Sequence, residues 1–462
     1  MTLFNPNFIP DFLPKRAGIY IVGGTVRDAL LGYAPKDYDI VVFDDPASVG
    51  QTLARATGGR LVIIGKGSHC IYRVAAGQIT YDIAQAGGKT IIDDLKDRDF
   101  TINAMACDTV EGQVLDPCNG RTDLADGTVR MVAPAAFDRD PLRLLRAFRM
   151  AAVLDFSIET GTRHAIRTAA PAISLPAGER IRDEWLKLLA TKNAGDRIRQ
   201  MDDTGLLAAM FPEITPMKGC RQNRHHCHDV FFHSIAAMRL VEQMLSENIV
   251  PLFNDKPNKS LLQDHRHIPL IKHAALFHDI GKPARQSTDQ NGSIHFYGHE
   301  KDGAHMAAAI HRRLRLANRE SRYIEWLIGR HMRPLFLFTA HRRGQLSRRA
   351  LTRFFRKTAP HSPELILFSA ADRLAKANPE ESTDFIAFAR ELIRFYYTNF
   401  RAASGKPPLL TGDDLIRAGL APSPLFAKIL DRVETERLAG TIETRKEALE
   451  IVKKMRNEQN RS

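Results

Sequence analysis

Between residues 19 and 85 the apolar positions fall in short β-branched runs. IYIVGG, YDIVVF, RLVIIG, CIYRVAA and QITYDIA are each bounded by Gly, Asp or Asn. Runs of that length and composition predict strands. DALLGYA and ASVGQTLARAT, lying among them, predict helices. From about residue 136 the pattern changes. DPLRLLRAFRMAAVL, GERIRDEWLKLLAT and AGDRIRQMDDTGLLAAM carry apolar residues at helical spacing, and the remainder of the chain stays helical. The predicted class is α+β: an N-terminal α/β head followed by helices. NDKPNKSLLQDHRHIP (254–269) is polar and broken by proline, which predicts a surface loop. ASGKPPLLTG (403–412) predicts a linker into a last helical segment.

The chain has 462 residues, enough for two to four domains at about 150 residues each. Hydrophobic residues make up 44% and charged residues 26%, an ordinary globular balance. No 18-residue apolar run is present, so no membrane span is expected. The start, MTLFNPNFIPDFLP, lacks the basic and apolar regions of a secretory leader. Five scattered cysteines (70, 107, 118, 220, 227) suit a reducing cytosol, so the expected location is cytoplasmic. The net charge of +13 points to a polyanionic partner, with nucleic acid or nucleotide first. A generally basic soluble surface is the competing reading.

GGTVRDALLGYAPKDYDIVV (23–42) concentrates the chemistry. Asp37 and Asp39 stand at the start of a predicted strand, where residues i and i+2 share a face. Two carboxylates on one face repel each other unless a cation lies between them, and hard oxygen ligands suit Mg²⁺. Asp82, on a second predicted strand, is a candidate third carboxylate. Such a cluster would activate an attacking hydroxyl and neutralise a leaving pyrophosphate. Gly23 and Gly24 end the preceding strand and let a phosphate approach the backbone, and Arg27 adds a forked donor. Taken singly, an Asp pair is more often a solvated turn, and a Gly pair more often a plain turn.

The run resembles the nucleotidyltransferase head of the class II CCA-adding tRNA nucleotidyltransferase and bacterial poly(A) polymerase family. DDLKDRDFTINAMACD (93–108) is similar to that family's RRDFTINA motif, LDPCNGRTDL (115–124) to DPxxGxxDL, RDPLRLLRAFRMAA (139–152) to EDxxR, and GERIRDEWLKLL (178–189) to its following helical motif. The resemblance implies a polymerase-beta-like head over 1–136, a helical neck and base-binding domain over 137–215, a further helical domain over 216–402 and a tail over 403–462. It implies Mg²⁺ on Asp37 and Asp39, with CTP, ATP and the tRNA 3′ end as partners. Arg98 would grip phosphate, and Asp99 and Asn103 would bond ribose hydroxyls; without the resemblance this reads as a buried turn with Asn103 as a cap. Asp140 and Arg143, three apart on a helix, would read the Watson–Crick edge of C or A. Arg146 and Arg149 would continue a basic stripe toward phosphate, against a solvated helix face as the alternative. Position 139 is Arg where the family often has Glu. Asp116 and Gly120 are read as a hinge turn or, equally, a plain turn. GKGSHCIYRV (65–74) reads as a loop near the site, with no catalytic residue assigned.

Downstream, HHCHDVFFHSI, AALFHDIGKP, FYGHEKDGAHM and AADRLAK supply mixed N/O ligands for a divalent metal. They resemble the HD phosphohydrolase domain. The resemblance implies His233, His278, Asp279 and Asp372 as ligands of a metal of unspecified identity, with His299 and His305 beside them. Cys220 and Cys227 lack a recognised zinc spacing, and the bland reading is preferred for them. HRRGQLSRRALTRFFRK (341–357) reads as an RNA-phosphate surface or, nearly as well, a solvated helix face. The tail resembles the C-terminal segment of HD-containing tRNA nucleotidyltransferases, with Ser423 where glycine is usual.

The function this implies is template-independent addition or repair of the tRNA 3′ CCA end, with an HD domain that trims phosphate from damaged ends or only helps hold tRNA. The alternatives are a CC-adding enzyme, an A-adding enzyme, a poly(A) polymerase, or an HD phosphohydrolase with a non-catalytic RNA-binding head.

Overall fold

The computed structural model describes residues 9–65, 70–222, 228–376 and 379–459. It divides into two compact units, 1–191 with 197–212, and 192–196 with 213–462.

The first unit opens with β1 (Ile19–Val22), α1 (Gly24–Leu30), β2 (Asp37–Val42), α2 (Pro46–Thr57), β3 (Arg60–Ile64), β4 (Ile71–Ala76), β5 (Ile79–Gln85), α3 (Ile91–Lys96), β6 (Ala106–Asp108) and β7 (Val114–Leu115). Each predicted strand is present. They form one seven-stranded sheet in the order β3-β4-β5-β2-β1-β6-β7. All neighbours are antiparallel except β2 and β5, which run parallel. Ile21, Val26, Ile40, Leu53, Val74 and Ile83 are buried at its core. Alternation on β2 buries Tyr38 and Ile40 and leaves Asp37 and Asp39 exposed.

The unit continues with α4 (Gly120–Ala125), β8 (Thr128–Val129), α5 (Ala135–Arg139), α6 (Arg143–Leu154), β9 (Ser157–Ile158), α7 (Thr160–Ala169), α8 (Gly178–Leu189), α9 (Ala194–Asp203) and α10 (Leu206–Met210). The expectation that strands end near 136 needs a small correction. β9 pairs with β8, closing the turn after α6 through two residues of parallel ladder.

The second unit carries α11 (Val230–Ser246), α12 (His267–Phe277), α13 (Lys282–Arg285), α14 (His299–Arg313), α15 (Asn318–Ile328), α16 (Arg333–Arg342), α17 (Arg348–Thr358), α18 (Ser362–Leu374) and α19 (Pro379–Phe395). The tail follows as α20 (Ala402–Ser404), α21 (Gly412–Arg417), α22 (Pro424–Leu438) and α23 (Arg445–Gln459). A two-residue hairpin, Ser287–Thr288 with Ile294–His295, is a further short exception to the helical pattern.

The polar segment 254–269 is mostly exposed, as its composition predicts, with Asn258, Leu261, Leu262 and His267 buried within it. Asn258 is 1% exposed, and its Nδ2 donates to the carbonyls of Met244 and Val250. Its Oδ1 accepts from the Leu252 amide. One side chain thus satisfies the backbone of three residues that precede the segment and anchors it there. The tail closes its own small core from Leu410, Leu415, Ile429, Val433, Ala448 and Val452. Ser423 is extended at φ −160°, a backbone that needs no glycine.

Candidate active site and candidate metal centre

In the first unit, α1 is tied to the start of β2 by a single hydroxyl. Thr25 Oγ1 donates to the Asp37 carbonyl at 3.1 Å and accepts from the Asp39 amide at 2.9 Å. Thr25 is buried, so this clamp fixes both aspartates from below. Sequence reasoning missed it, because a lone threonine at a helix start carries no pattern. Gly23 sets the approach from the other side. Its φ is +67°, and a β-carbon there would lie 2.8 Å from Arg98 Nη1 and 3.6 Å from Asp39 Oδ2. The positive φ is what favours Gly there, since an added β-carbon would press only on the flexible tip of Arg98.

Asp82 stands in register with Asp39 on the parallel neighbour. Its carboxylate is already taken: Arg73 grips it through two hydrogen bonds at 2.7 and 2.6 Å. The expected trio therefore resolves into two open carboxylates and one closed by a fork. Asp39's carboxyl is pushed above its ordinary range, first by desolvation, then by Asp82 and Asp37, with Arg98 and Arg27 opposing. A carboxyl disfavoured by neighbouring like charge is one that a cation would relieve. Asp37 and Asp39 thus fit a divalent metal.

The RDFTINA turn is a connected network. Asp99 Oδ1 accepts from the Phe100 amide and from Asn103 Nδ2, and Asn103 Oδ1 accepts from Arg27 Nη1 at 2.7 Å. Arg146 Nη2 reaches Asp99 Oδ2 at 2.9 Å. Burial would raise Asp99, but Arg146 and these hydrogen bonds hold it below its ordinary value. Asp99 and Asn103 are both buried, so the atoms expected to meet ribose already hold this turn together. Arg98 is paired with Asp94 at 3.0 Å.

The LDPCNGRTDL motif braces the same turn. A β-carbon on Gly120 would lie 2.2 Å from the Thr101 carbonyl oxygen, so glycine lets α4 pack against it. Asp123 Oδ2 accepts from Thr101 Oγ1, and Asp116 caps α4 through the amides of Gly120 and Arg121. Between the hinge and the plain turn, these contacts describe a close-packed support.

Asp140 and Arg143 bracket the start of α6. Arg143 donates to the carbonyls of Asp97, Arg98 and Ala136 at 3.0 to 3.3 Å. Asp140 Oδ1 accepts from the Leu142 amide, and Oδ2 accepts from Arg180 Nη2 at 2.8 Å. Arg180 was not singled out from sequence, though it lies in the GERIRDE helix. The basic stripe is turned inward: Arg146 meets Asp99, and Arg149 Nε meets Glu184 Oε2 at 2.5 Å, joining α6 to α8. A guanidinium this shielded pairs with a buried carboxylate in preference to facing solvent.

In the second unit, His233, His278, Asp279 and Asp372 converge, and all are buried. His233 Nε2 lies 2.9 Å from Asp372 Oδ1, and His278 Nε2 lies 3.1 Å from Asp279 Oδ2. His299 Nε2 is 3.3 Å from Asp279 Oδ1. His305 is exposed on α14, and the position beside His299 belongs to His331, whose Nε2 is 3.4 Å from that of His299. His331 lies three residues past the end of α15 and stands in no His-Asp pair, so no sequence signal pointed to it. Asp279 Oδ1, Oδ2 and His278 Nε2 are buried without a well-directed hydrogen bond. Burial would lower His278, but Asp279 and Asp372 lift it to about 9. Convergent imidazole nitrogens and carboxylate oxygens of this kind fit a divalent transition metal. The cluster opens on a cavity of about 840 Å³ also lined by Lys282, Arg342, Arg343, Arg373 and Lys376.

Cys220 is buried, with Sγ 3.4 Å from Gln286 Oε1, and Cys227 lies outside the described residues. Within 341–357, Arg349 pairs with Glu436 and Arg356 with Asp431, so part of that basic face packs α17 against α22. No helix among the described residues is long and apolar enough to cross a membrane.

The Poly A polymerase head domain family matches residues 19–130, the probable RNA and SrmB-binding site of polymerase A matches 155–218, and the HD domain matches 230–377. The A-adding tRNA nucleotidyltransferase of Deinococcus radiodurans is 31% identical, over 97% of this chain and 98% of that protein. The CC-adding tRNA nucleotidyltransferase of Thermus thermophilus is 30% identical, over 95% and 93%. The multifunctional CCA protein of Legionella pneumophila is 31% identical, over 65% and 71%. A CCA-adding enzyme of Thermotoga maritima solved with tRNA shares the fold at a TM-score of 0.62 and 22% identity, over 95% of this chain and 91% of that one. The chain is a nucleotidyltransferase and belongs to the tRNA nucleotidyltransferase family that includes the CCA-adding enzymes.

Proposed function

We propose that this enzyme builds or repairs the complete 3′ CCA end of tRNA from CTP and ATP without a nucleic-acid template. The observation that carries the reading is the pair of open carboxylates, Asp37 and Asp39, on one face of β2, beside Arg98 and Gly23. When bound there, Mg²⁺ would lower the pKa of the attacking hydroxyl and neutralise charge on the triphosphate. Asp37 and Asp39 orient the reacting centre, where the tRNA 3′ oxygen forms a bond to the α-phosphorus as pyrophosphate leaves. Arg98 takes triphosphate charge once released from Asp94. Asp140 accepts from the base's exocyclic amine, and Arg143 donates to its ring nitrogen or carbonyl. Single-nucleotide mapping of products on tRNA ending at the discriminator base, after C and after CC tests this. Addition that stops after A at position CCA supports it; a stop at CC, or A added only to a CC end, supports a split-labour enzyme.

A second reading concerns the HD cluster and rests on its cavity. Asp279, His299, His331 and Asp372 line it together with Lys282, Arg373 and Lys376. We infer that this site, when it holds a divalent metal, removes phosphate or opens cyclic phosphate at damaged 3′ ends, the cations receiving the phosphate charge. His278→Ala combined with Asp279→Ala is expected to lower bound metal and phosphate release while leaving nucleotide addition in place. Unchanged metal content in that variant contradicts the ligand set.

A further inference from the structure

Two departures from the family motifs meet in space. Arg139 stands where the EDxxR motif carries Glu. Asp97 stands where RRDFTINA carries its first Arg. The two positions are 42 residues apart, and their side chains are paired, Arg139 Nη1 to Asp97 Oδ1 at 2.6 Å. The charges are opposite to those of the motif at both positions. Reversing either one alone would place like charges together.

The pair sits at a junction of the proposed machinery. Asp97 ends α3, and Arg139 ends α5. The next residue after Asp97 is Arg98, beside Gly23 and Asp39. The next after Arg139 is Asp140. Residue 97 is held twice: Arg139 takes its carboxylate, and Arg143 Nη2 takes its carbonyl at 3.0 Å. Arg143 Nη1 also takes the Arg98 carbonyl. The turn that aims Arg98 and the helix start that aims Asp140 and Arg143 are therefore fastened at one point. Both side chains are well exposed, at 48% and 63%. A pair so exposed contributes little to global stability.

We propose that Arg139 is a positioning residue, and that Asp97 and Arg139 form a compensated exchange of charge that keeps the triphosphate-gripping turn in register with the base-reading helix. The inference rests on the nucleotidyl-transfer reading above. It implies that neither residue touches the nucleotide, and that each acts through its neighbour, Arg98 or Asp140.

The test is a charge-exchange cycle in the full-length enzyme: Asp97→Arg, Arg139→Glu and the double exchange, with Arg139→Lys as the conservative variant. KM and kcat are measured separately for CTP and ATP on tRNA substrates, alongside Tm. Each single reversal is expected to raise nucleotide KM by about tenfold, and the double exchange to return within about threefold of the parent. Arg139→Lys keeps most activity, and Tm stays within about 1 °C throughout. Single variants within twofold of the parent, or a double exchange no better than the worse single, overturn the inference alone. A loss that tracks falling Tm also overturns it. A parent chain that adds neither CMP nor AMP overturns the nucleotidyl-transfer reading and this inference together.

Discussion

A β-carbon on Gly23 would lie 2.8 Å from Arg98 Nη1, so the glycine that ends β1 and the arginine of the RDFTINA turn share one packed space. Gly23→Ala adds little volume, and its cost comes chiefly from the positive-φ backbone at this position. A non-glycine residue at φ +67° costs on the order of 1–3 kcal/mol, and the added methyl must also displace the guanidinium. The expected result is a loss of nucleotide addition by about a hundredfold, since small misplacements of positioned groups cost that much. Steady-state kinetics with a parallel Tm measurement checks it; activity within threefold would show that Arg98 is not held by this contact.

Asp39 should show opposite effects on activity and stability. Its folded pKa is raised, first by desolvation and then by Asp82 and Asp37. In an acid so shifted, stability falls as pH rises from the unfolded pKa through the folded one, and the penalty is fully present above that. Asp39→Asn removes the penalty, so the variant in EDTA should melt higher than the parent near neutral pH. Addition should be abolished in the same variant. A variant that melts lower in EDTA contradicts the electrostatic account.

Asp140 is gripped by Arg180 at 2.8 Å, and under the proposed base-reading role that contact would compete with a nucleotide base for the same carboxylate oxygen. Arg180→Ala should leave Asp140 free but less well aimed, altering the CTP to ATP preference by about three- to tenfold. Asp140→Ala should cost far more, because it removes the acceptor itself. Measured kcat/KM ratios for the two nucleotides decide this; an unchanged ratio in Arg180→Ala would remove Arg180 from base selection.

Glu364 tests the second unit independently of catalysis. It is fully buried, and its carboxylate accepts from His267, His361, Tyr323 and the Gln263 amide. Burial opposes its ionisation, but these partners bring it from 4.5 down to about 2. A fall of that size is worth on the order of 3 kcal/mol at neutral pH. The folded pKa is depressed, so the contribution is present above pH 4.5 and is lost as pH falls toward 2. Glu364→Gln should lower stability by about 2–4 kcal/mol, with the deficit shrinking in acid. Denaturant titrations at pH 7 and pH 3 check both magnitude and direction.

The strands of the head were legible because each is short, β-branched and bounded by turn residues. Asp37 and Asp39 were legible because period two puts them on one face. What the sequence could not supply was which charges are already spent. Arg73 closing Asp82, Arg146 on Asp99 and Arg149 on Glu184 are long-range pairings with no local signature. Residues 254–269 are mostly exposed, as their polarity suggested; Asn258 is the exception, its amide turned inward to hold the backbone of Met244, Val250 and Leu252. His331 was missed for a different reason: it stands in no HD-like pair, and only the fold brings it to His299. The Arg139 departure was visible as a mismatch, and its partner Asp97 came into view only through the contact.

The most direct test of the central claim is single-nucleotide product mapping with the parent chain and Asp37→Ala side by side. The substrates are tRNA ending at the discriminator base, after C and after CC, each with CTP, ATP or both. The account predicts that the parent completes CCA on all three and then stops, and that Asp37→Ala adds nothing. A parent that stops at CC, adds A only to a CC end, or runs a long A ladder contradicts it, as does a variant that still adds nucleotide.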